Sequence, residues 1–171
     1  MSKNPVKSSF MKKHIDKLLC LLICAVAIGA DQLAKSAVRA MMDARGGEDF
    51  VLIPGFLSII KSFNQGVAFG MFQGIRVYFL LVPIGIAILI LFFFLKEGMR
   101  GRVLSVIGLG LMLGGAFGNL IDRVRLGYVF DFILAYHGKY SWPTFNVADA
   151  FIVVGFFLFA IVMFLGGEQD E

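Results

Sequence analysis

Charge is what this chain has little of. Asp, Glu, Lys and Arg make up 16% of its 171 residues, against about 25% in ordinary soluble domains. With 58% hydrophobic residues and a mean hydropathy of +0.84, the composition argues against a water-soluble core under a charged shell. Cysteine is nearly absent too. Cys20 and Cys24 stand four apart in an apolar run without a neighbouring His or carboxylate, so they read as small packing residues rather than a disulfide or a metal site. Histidine is limited to His14, in a basic tail, and His137, in a loop. There is no His-Glu-x-x-His pattern for zinc and no Gly-x-Ser-x-Gly elbow for a serine nucleophile. Ser141 near Lys139 imitates a Ser–Lys dyad, but nothing else supports one. The net charge of +4 comes largely from the N-terminal tail and one short loop and calls for no nucleic acid. No internal repeat and no low-complexity tract is found.

What is present is apolar length. About 20 apolar residues cross a bilayer, and four stretches qualify: 18–42, interrupted by Asp31, Gln32 and Lys35; 77–95, with Pro83 inside it; 103–121; and 147–165. The first has the basic flank (Lys12, Lys13, Lys17) and small residue (Ala30) of a cleaved signal peptide. Apolarity resumes after Lys35, however, and three further spans follow, so a retained span is expected. Cys24 is no lipobox cysteine, because Leu21-Leu22-Ile23 before it are too bulky.

Four spans put both termini on one side. Basic residues gather in the N-tail (Lys3, Lys7, Lys12, Lys13, Lys17) and between the second and third spans (Lys96, Arg100, Arg102). The excess of cations on cytoplasmic segments therefore predicts cytoplasmic tails at 1–17 and 166–171, with loops 43–73 and 122–146 outside. Loop 43–73 is too apolar for a flexible linker: 50–53, the turn Pro54-Gly55, and 56–63 read as two strands, and 128–136 as another. Tyr136, Tyr140 and Trp142 suit the membrane interface. The expected fold is a membrane all-α bundle of four transmembrane helices with a small extracytoplasmic β-sheet, residues 1–171 forming a single integral membrane domain.

The polar residues of these spans collect toward the outer side. Asp31 and Lys35, i and i+4, read either as a neutralised ion pair that lets the helix sit deep or as a brace for a site or lipid headgroup. Asn119 and Arg123 repeat that spacing at the end of the third span. Arg123 alone fits a cation snorkelling at a helix C-terminus, but Asn119 lies a turn deeper, and both are good ligands for peptide carbonyls. Asp122 reads as structural, holding Arg123 or capping local structure. Asp131 is flanked by Val129-Phe130 and Phe132-Ile133, which is unusual unless it faces a polar pocket. Asp149, three residues after Asn146, fits the first turn of a capped helix, yet Asp131 then still needs a partner. A carboxylate at a bilayer edge is costly, and two brought together share one proton, which is the basis of aspartic-protease chemistry. A proton-coupled transporter using Asp31, Asp122, Asp131 and Asp149 as a relay is the main alternative. It should spread carboxylates over several depths, whereas these all lie toward one side. A non-catalytic assembly or lipid-binding membrane protein would need no carboxylate pair.

Five segments, in order, resemble the lipoprotein signal peptidases, bacterial intramembrane aspartic peptidases: Asp31-Gln32-Leu33-Ala34-Lys35, Phe63-Asn64-Gln65-Gly66-Val67-Ala68-Phe69-Gly70, Gly118-Asn119-Leu120-Ile121-Asp122-Arg123, Val129-Phe130-Asp131-Phe132 and Phe145-Asn146-Val147-Ala148-Asp149-Ala150. The resemblance implies a catalytic pair at Asp131 and Asp149, and substrate-binding or site-shaping roles for Asn64, Asn119, Arg123 and Asn146. Supporting positions fall on Asp31, Lys35 and Asp122. It implies a sheet cradle over the site and cleavage of a prolipoprotein just before its diacylglyceryl-cysteine, with no metal or organic cofactor. The expected partners are diacylglyceryl-prolipoproteins and membrane lipids, no nucleic acid, and no second copy of a monomeric chain. The expected location is the bacterial inner membrane. The long basic N-tail lies outside these motifs.

Overall fold

A computed structural model of the chain describes the backbone of residues 5–65 and 103–166, and side chains within 14–65 and 103–162. The expected span at 77–95, with Pro83, lies outside the described residues, as do residues 66–70 of the second motif. The described residues form three helices and a four-stranded antiparallel sheet. In chain order these are α1 (Pro5–Ala44), β1 (Phe50–Ile53), β2 (Leu57–Asn64), α2 (Val103–Leu126), β3 (Val129–His137), β4 (Tyr140–Ser141) and α3 (Val147–Gly166). α1 begins earlier than the expected span, so much of the stretch expected as a tail is helical. α2 runs past 121 and carries Asp122 and Arg123 on its last turns.

Glycine lets α2 pack between α1 and α3. Gly110 and Gly114 lie against Cys20, Ile23, Cys24 and Ala27 of α1; a Cβ at Gly114 would come 2.5 Å from the Ala27 Cβ. On the other side Gly108 and Gly155 face each other, and Gly115 meets the Ala148 backbone. Close backbone approach through small residues is how helices associate where lipid offers no hydrophobic drive. Cys20 and Cys24 are buried with Val106, Leu109 and Leu113, in the packing role read from the sequence. The outward faces are apolar instead of charged: Leu18, Leu21, Leu22, Val26 and Leu33 of α1, and Val153, Phe156 and Phe157 of α3, are all exposed. Among the described residues, two helices are long and apolar enough to cross a membrane, over His14–Ala44 and Val103–Leu126.

The sheet has the order β1-β2-β3-β4. Its strands fall where alternation and the Pro54-Gly55 turn place them; the two-residue β4 is an addition. β2 pairs with β3 from Leu57↔Ala135 to Asn64↔Val129, with a register shift between Ile59 and Ser62. Phe130 and Phe132 point to one face and pack with Ile59 and with Met42 of α1. Asp131 takes the opposite face by strand alternation. The turn from α2 into β3 needs only Gly127 and Tyr128. Gly127, at φ 81°, donates its N–H to the Arg123 carbonyl at 3.0 Å and closes the helix in the left-handed conformation that favours glycine.

Candidate active site

Two backbone devices bring Asp131 and Asp149 together. The first is a bridge between Ile133 and Phe145: Ile133 N donates to Phe145 O at 2.9 Å, and Phe145 N to Ile133 O at 3.1 Å. This pins the segment before α3 to the strand carrying Asp131. The second is the start of α3. Asn146 Oδ1 accepts the Asp149 N–H at 3.1 Å, and Asp149 Oδ2 accepts the Asn146 N–H at 3.1 Å. That is a reciprocal capping box with Asn at the cap and Asp at the third helical position. The capping role read from the sequence is therefore real, and it also aims the Asp149 carboxylate.

Asn146 then joins the two acids. Its Nδ2 donates to Asp131 Oδ1 at 2.6 Å and to Asn119 Oδ1 at 3.1 Å. Asn119 Nδ2 in turn donates to Asp149 Oδ1 at 2.8 Å. Asp131 Oδ2 accepts Asn64 Nδ2, from the end of β2, at 3.0 Å. Each carboxylate is thus oriented through both oxygens. Asp131 is 1% exposed, whereas Asp149 is only half-buried. Burial pushes the Asp131 carboxyl up to about 6; the nearby Asp149 charge adds to the rise, while Asn64, Asn146 and the Lys35 ammonium oppose it. Burial and the second carboxyl thus hold a proton on Asp131 more tightly than on an ordinary carboxylate, against the pull of the two amide donors.

Arg123 lies against this site but is incompletely used. Nη1 reaches the Asn119 carbonyl at 3.4 Å, a long contact, and Nε is buried without a partner among the described residues. A carbonyl-bearing ligand would satisfy it.

Beneath the pair lies a second polar layer. Lys35, 2% exposed, meets Asp31 at 2.8 Å and Asp122 at 3.0 Å. It also donates to Asn119 Oδ1 at 3.1 Å. Asp31 takes part in more than the expected helical ion pair: its Oδ1 accepts the Ala148 N–H at 2.9 Å. Asp122 is expected from its sequence context to hold Arg123 or cap local structure; among the described residues it bonds Lys35, Gln32 and the Phe130 N–H (3.1 Å) rather than Arg123. Gln32 is the residue sequence reasoning passed over. Its Nε2 lies 3.1 Å from Asp31 Oδ2, 3.0 Å from Asp122 Oδ1 and 3.2 Å from the Gly118 carbonyl. The available signal was an uncharged polar residue beside Asp31 inside an apolar span. Arg39 is a second omission; its guanidinium lies 4.7 Å from the Phe130 ring centroid. Among the described residues no cluster of His, Cys, Asp and Glu is arranged to hold a metal ion.

The sequence and the fold are shared with known proteins. Residues 23–165 match the family model described as signal peptidase (SPase) II. The chain is 34% identical over 155 residues to the lipoprotein signal peptidase of Syntrophotalea carbinolica, covering 90% of this chain and 95% of that one. It is 42% identical over 150 residues to the lipoprotein signal peptidase of Geobacillus thermodenitrificans, covering 88% and 92%. A solved bacterial membrane enzyme, determined by the in meso method at 1.9 Å, superposes with a TM-score of 0.74 at 32% identity, covering 89% of this chain and 94% of that one.

Proposed function

The chain belongs to the signal peptidase II family, and from that membership we propose that Asp131 and Asp149 are the carboxylates with which it cuts its substrate. It is an aspartic peptidase with lipoprotein signal peptidase activity. The observation that supports this pair is the single residue joining it: Asn146 holds Asp131 through its amide and Asp149 through its backbone N–H. The substrate is a diacylglyceryl-modified prolipoprotein, and the bond cut is the one before the lipidated cysteine.

With one proton on the pair, the ionised aspartate takes a proton from water as the water oxygen attacks the scissile carbonyl. The protonated aspartate hydrogen-bonds that carbonyl and transfers its proton as the tetrahedral intermediate forms. The newly protonated aspartate gives its proton to the leaving amine as the C–N bond breaks, and the other aspartate takes one back from the gem-diol hydroxyl, leaving a carboxylic acid, a free amine and the singly protonated pair. Arg123, whose Nε has no partner among the described residues, positions a substrate carbonyl, and the acyl chains stay in the bilayer between helices. Around this chemistry we place four spans including 77–95, both termini in the cytoplasm, the sheet outside as a cradle, and a monomeric chain of one membrane domain. Gel-shift assay of wild-type enzyme in detergent should show cleavage of the diacylglyceryl-modified precursor and not of its unlipidated form. Equal cleavage of both, or of neither, would overturn the substrate assignment.

The raised value at Asp131 sets a pH dependence. The ordinary carboxylate value is 3.8 and the folded one about 6, so the folded state binds this proton more tightly. Asp131's contribution to stability is therefore full below about 3.8 and fades as pH rises toward about 6. Activity needs the shared proton, so kcat/KM should fall as pH rises from about 6. The alkaline limb of kcat should lie higher, because bound substrate excludes water from the pair. A pH–rate profile flat from about 5 to about 9 would contradict a proton-sharing pair.

A further inference from the structure

Each aspartate of the pair follows a residue whose backbone N–H is held by another, buried aspartate. Phe130 N, preceding Asp131, donates to Asp122 Oδ2 at 3.1 Å. Ala148 N, preceding Asp149, donates to Asp31 Oδ1 at 2.9 Å. These two carboxylates come from different helices, α1 and α2, and Lys35 contacts both, at 2.8 and 3.0 Å. The same ammonium donates to Asn119 Oδ1. With Lys35 and Asn146 both donating to that oxygen, the Asn119 amide is fixed in the one orientation that turns its Nδ2 toward Asp149. Lys35 therefore reaches the site by three routes, through Asp122, Asp31 and Asn119, without itself touching either member of the pair.

Building on the catalytic assignment above, we propose that Lys35 is a positioning residue, a buried clasp that sets the relative placement of Asp131 and Asp149 and the orientation of Asn119. Helix stabilisation alone would require only the Asp31–Lys35 contact. The additional bonds to Asp122 and Asn119 bind α1 to α2 at the level of the site. Gln32 closes the same layer from its half-buried side. The charged groups facing Asp131 are Lys35 from α1, Arg123 from α2 and Asp149 from α3; β2 supplies the neutral Asn64. Removing the Lys35 charge takes away one of the influences that lower the Asp131 value.

The test compares wild type, Lys35→Met, Lys35→Arg, Asp122→Asn, the double variant Lys35→Met/Asp122→Asn, and Asp131→Asn as the dead control, all full-length in detergent. Lipidated precursor is the substrate, and the readouts are kcat, KM, pH profile and thermal unfolding. The double variant matters because it keeps the formal charge of the Asp31–Lys35–Asp122 layer at its wild-type value, so it should fold where Lys35→Met alone does not. A clasp predicts that the folded double variant loses about 10²-fold in kcat relative to Asp122→Asn with KM little changed, since misplacement of reacting groups by an ångström costs on that order. Folded Lys35→Met should lose at least as much, with its alkaline limb moved to higher pH, and Lys35→Arg should recover part of the rate. If the double variant is no slower than Asp122→Asn alone, Lys35 serves only charge balance and the proposal fails. Failure of the underlying assignment looks different, since Asp131→Asn would then cleave at the wild-type rate.

Discussion

Replacing either Asp131 or Asp149 with Asn is expected to lower cleavage of lipidated precursor by about 10⁴-fold while leaving folded yield close to wild type. Asn keeps the shape and one acceptor oxygen at each position. The bond from Asn64 or Asn146 to residue 131 can therefore survive, as can the capping bonds at residue 149. What is lost is the ability to exchange a proton with water or substrate. The double variant should be no worse than either single one, because the acids act as a unit and their losses do not add. Asp122→Asn is the informative contrast. Asp122 supports the Phe130 N–H and Lys35 but touches no reacting atom, so that variant should be slowed and still cut. If Asp122→Asn were inactive and Asp131→Asn active, the catalytic assignment would have to move by nine residues. Normal cleavage by Asp149→Asn would remove the pair altogether.

The pair was legible because carboxylates at the ends of apolar spans have few structural uses, and because the surrounding motifs occur in order. The bridge that unites them was less visible. The Ile133–Phe145 pairing is one isolated contact across a loop, with too little alternation in the sequence to announce it. The second polar layer was half legible. Spacing alone paired Asp31 with Lys35, but spacing within one helix cannot show that Asp122 and Asn119 arrive from another. Gln32 was missed for the same reason, since its Asp122 and Gly118 partners lie on α2. The strands at 50–53 and 129–137 were readable from β-branched and aromatic runs around Pro54-Gly55 and after Gly127, where turn chemistry is local. The early start of α1 was not readable, because a lysine-rich segment is compatible with a tail or with a helix.

The glycines of α2 lead to the second large effect. Gly115→Leu is expected to abolish folded yield. Gly115→Ala should destabilise by about 3 kcal/mol, the upper end of ordinary overpacking, and cut activity by about 10²-fold in whatever folds. A Cβ at Gly115 would fall on the Ala148 carbonyl oxygen and lie 2.8 Å from Ile152 Cγ1. The isoleucine can rotate, but a backbone carbonyl inside the first turn of α3 cannot. Ala148 is held from its other side by Asp31 and sits next to Asp149, so relief requires α3 to move away from α2 at the level of the site. Asp149 moves with it, stretching the 2.8 Å bond from Asn119. Gly29→Ala is the matched control. Gly29 lies in α1, and a Cβ there would meet nothing within 4 Å among the described residues. Ala favours a helix over Gly by about 1 kcal/mol, so this variant should keep full activity and melt no lower than wild type. Thermal unfolding followed together with precursor cleavage separates the two effects. Wild-type melting and activity in Gly115→Ala would mean that α3 does not rest on α2 as closely as its glycines allow.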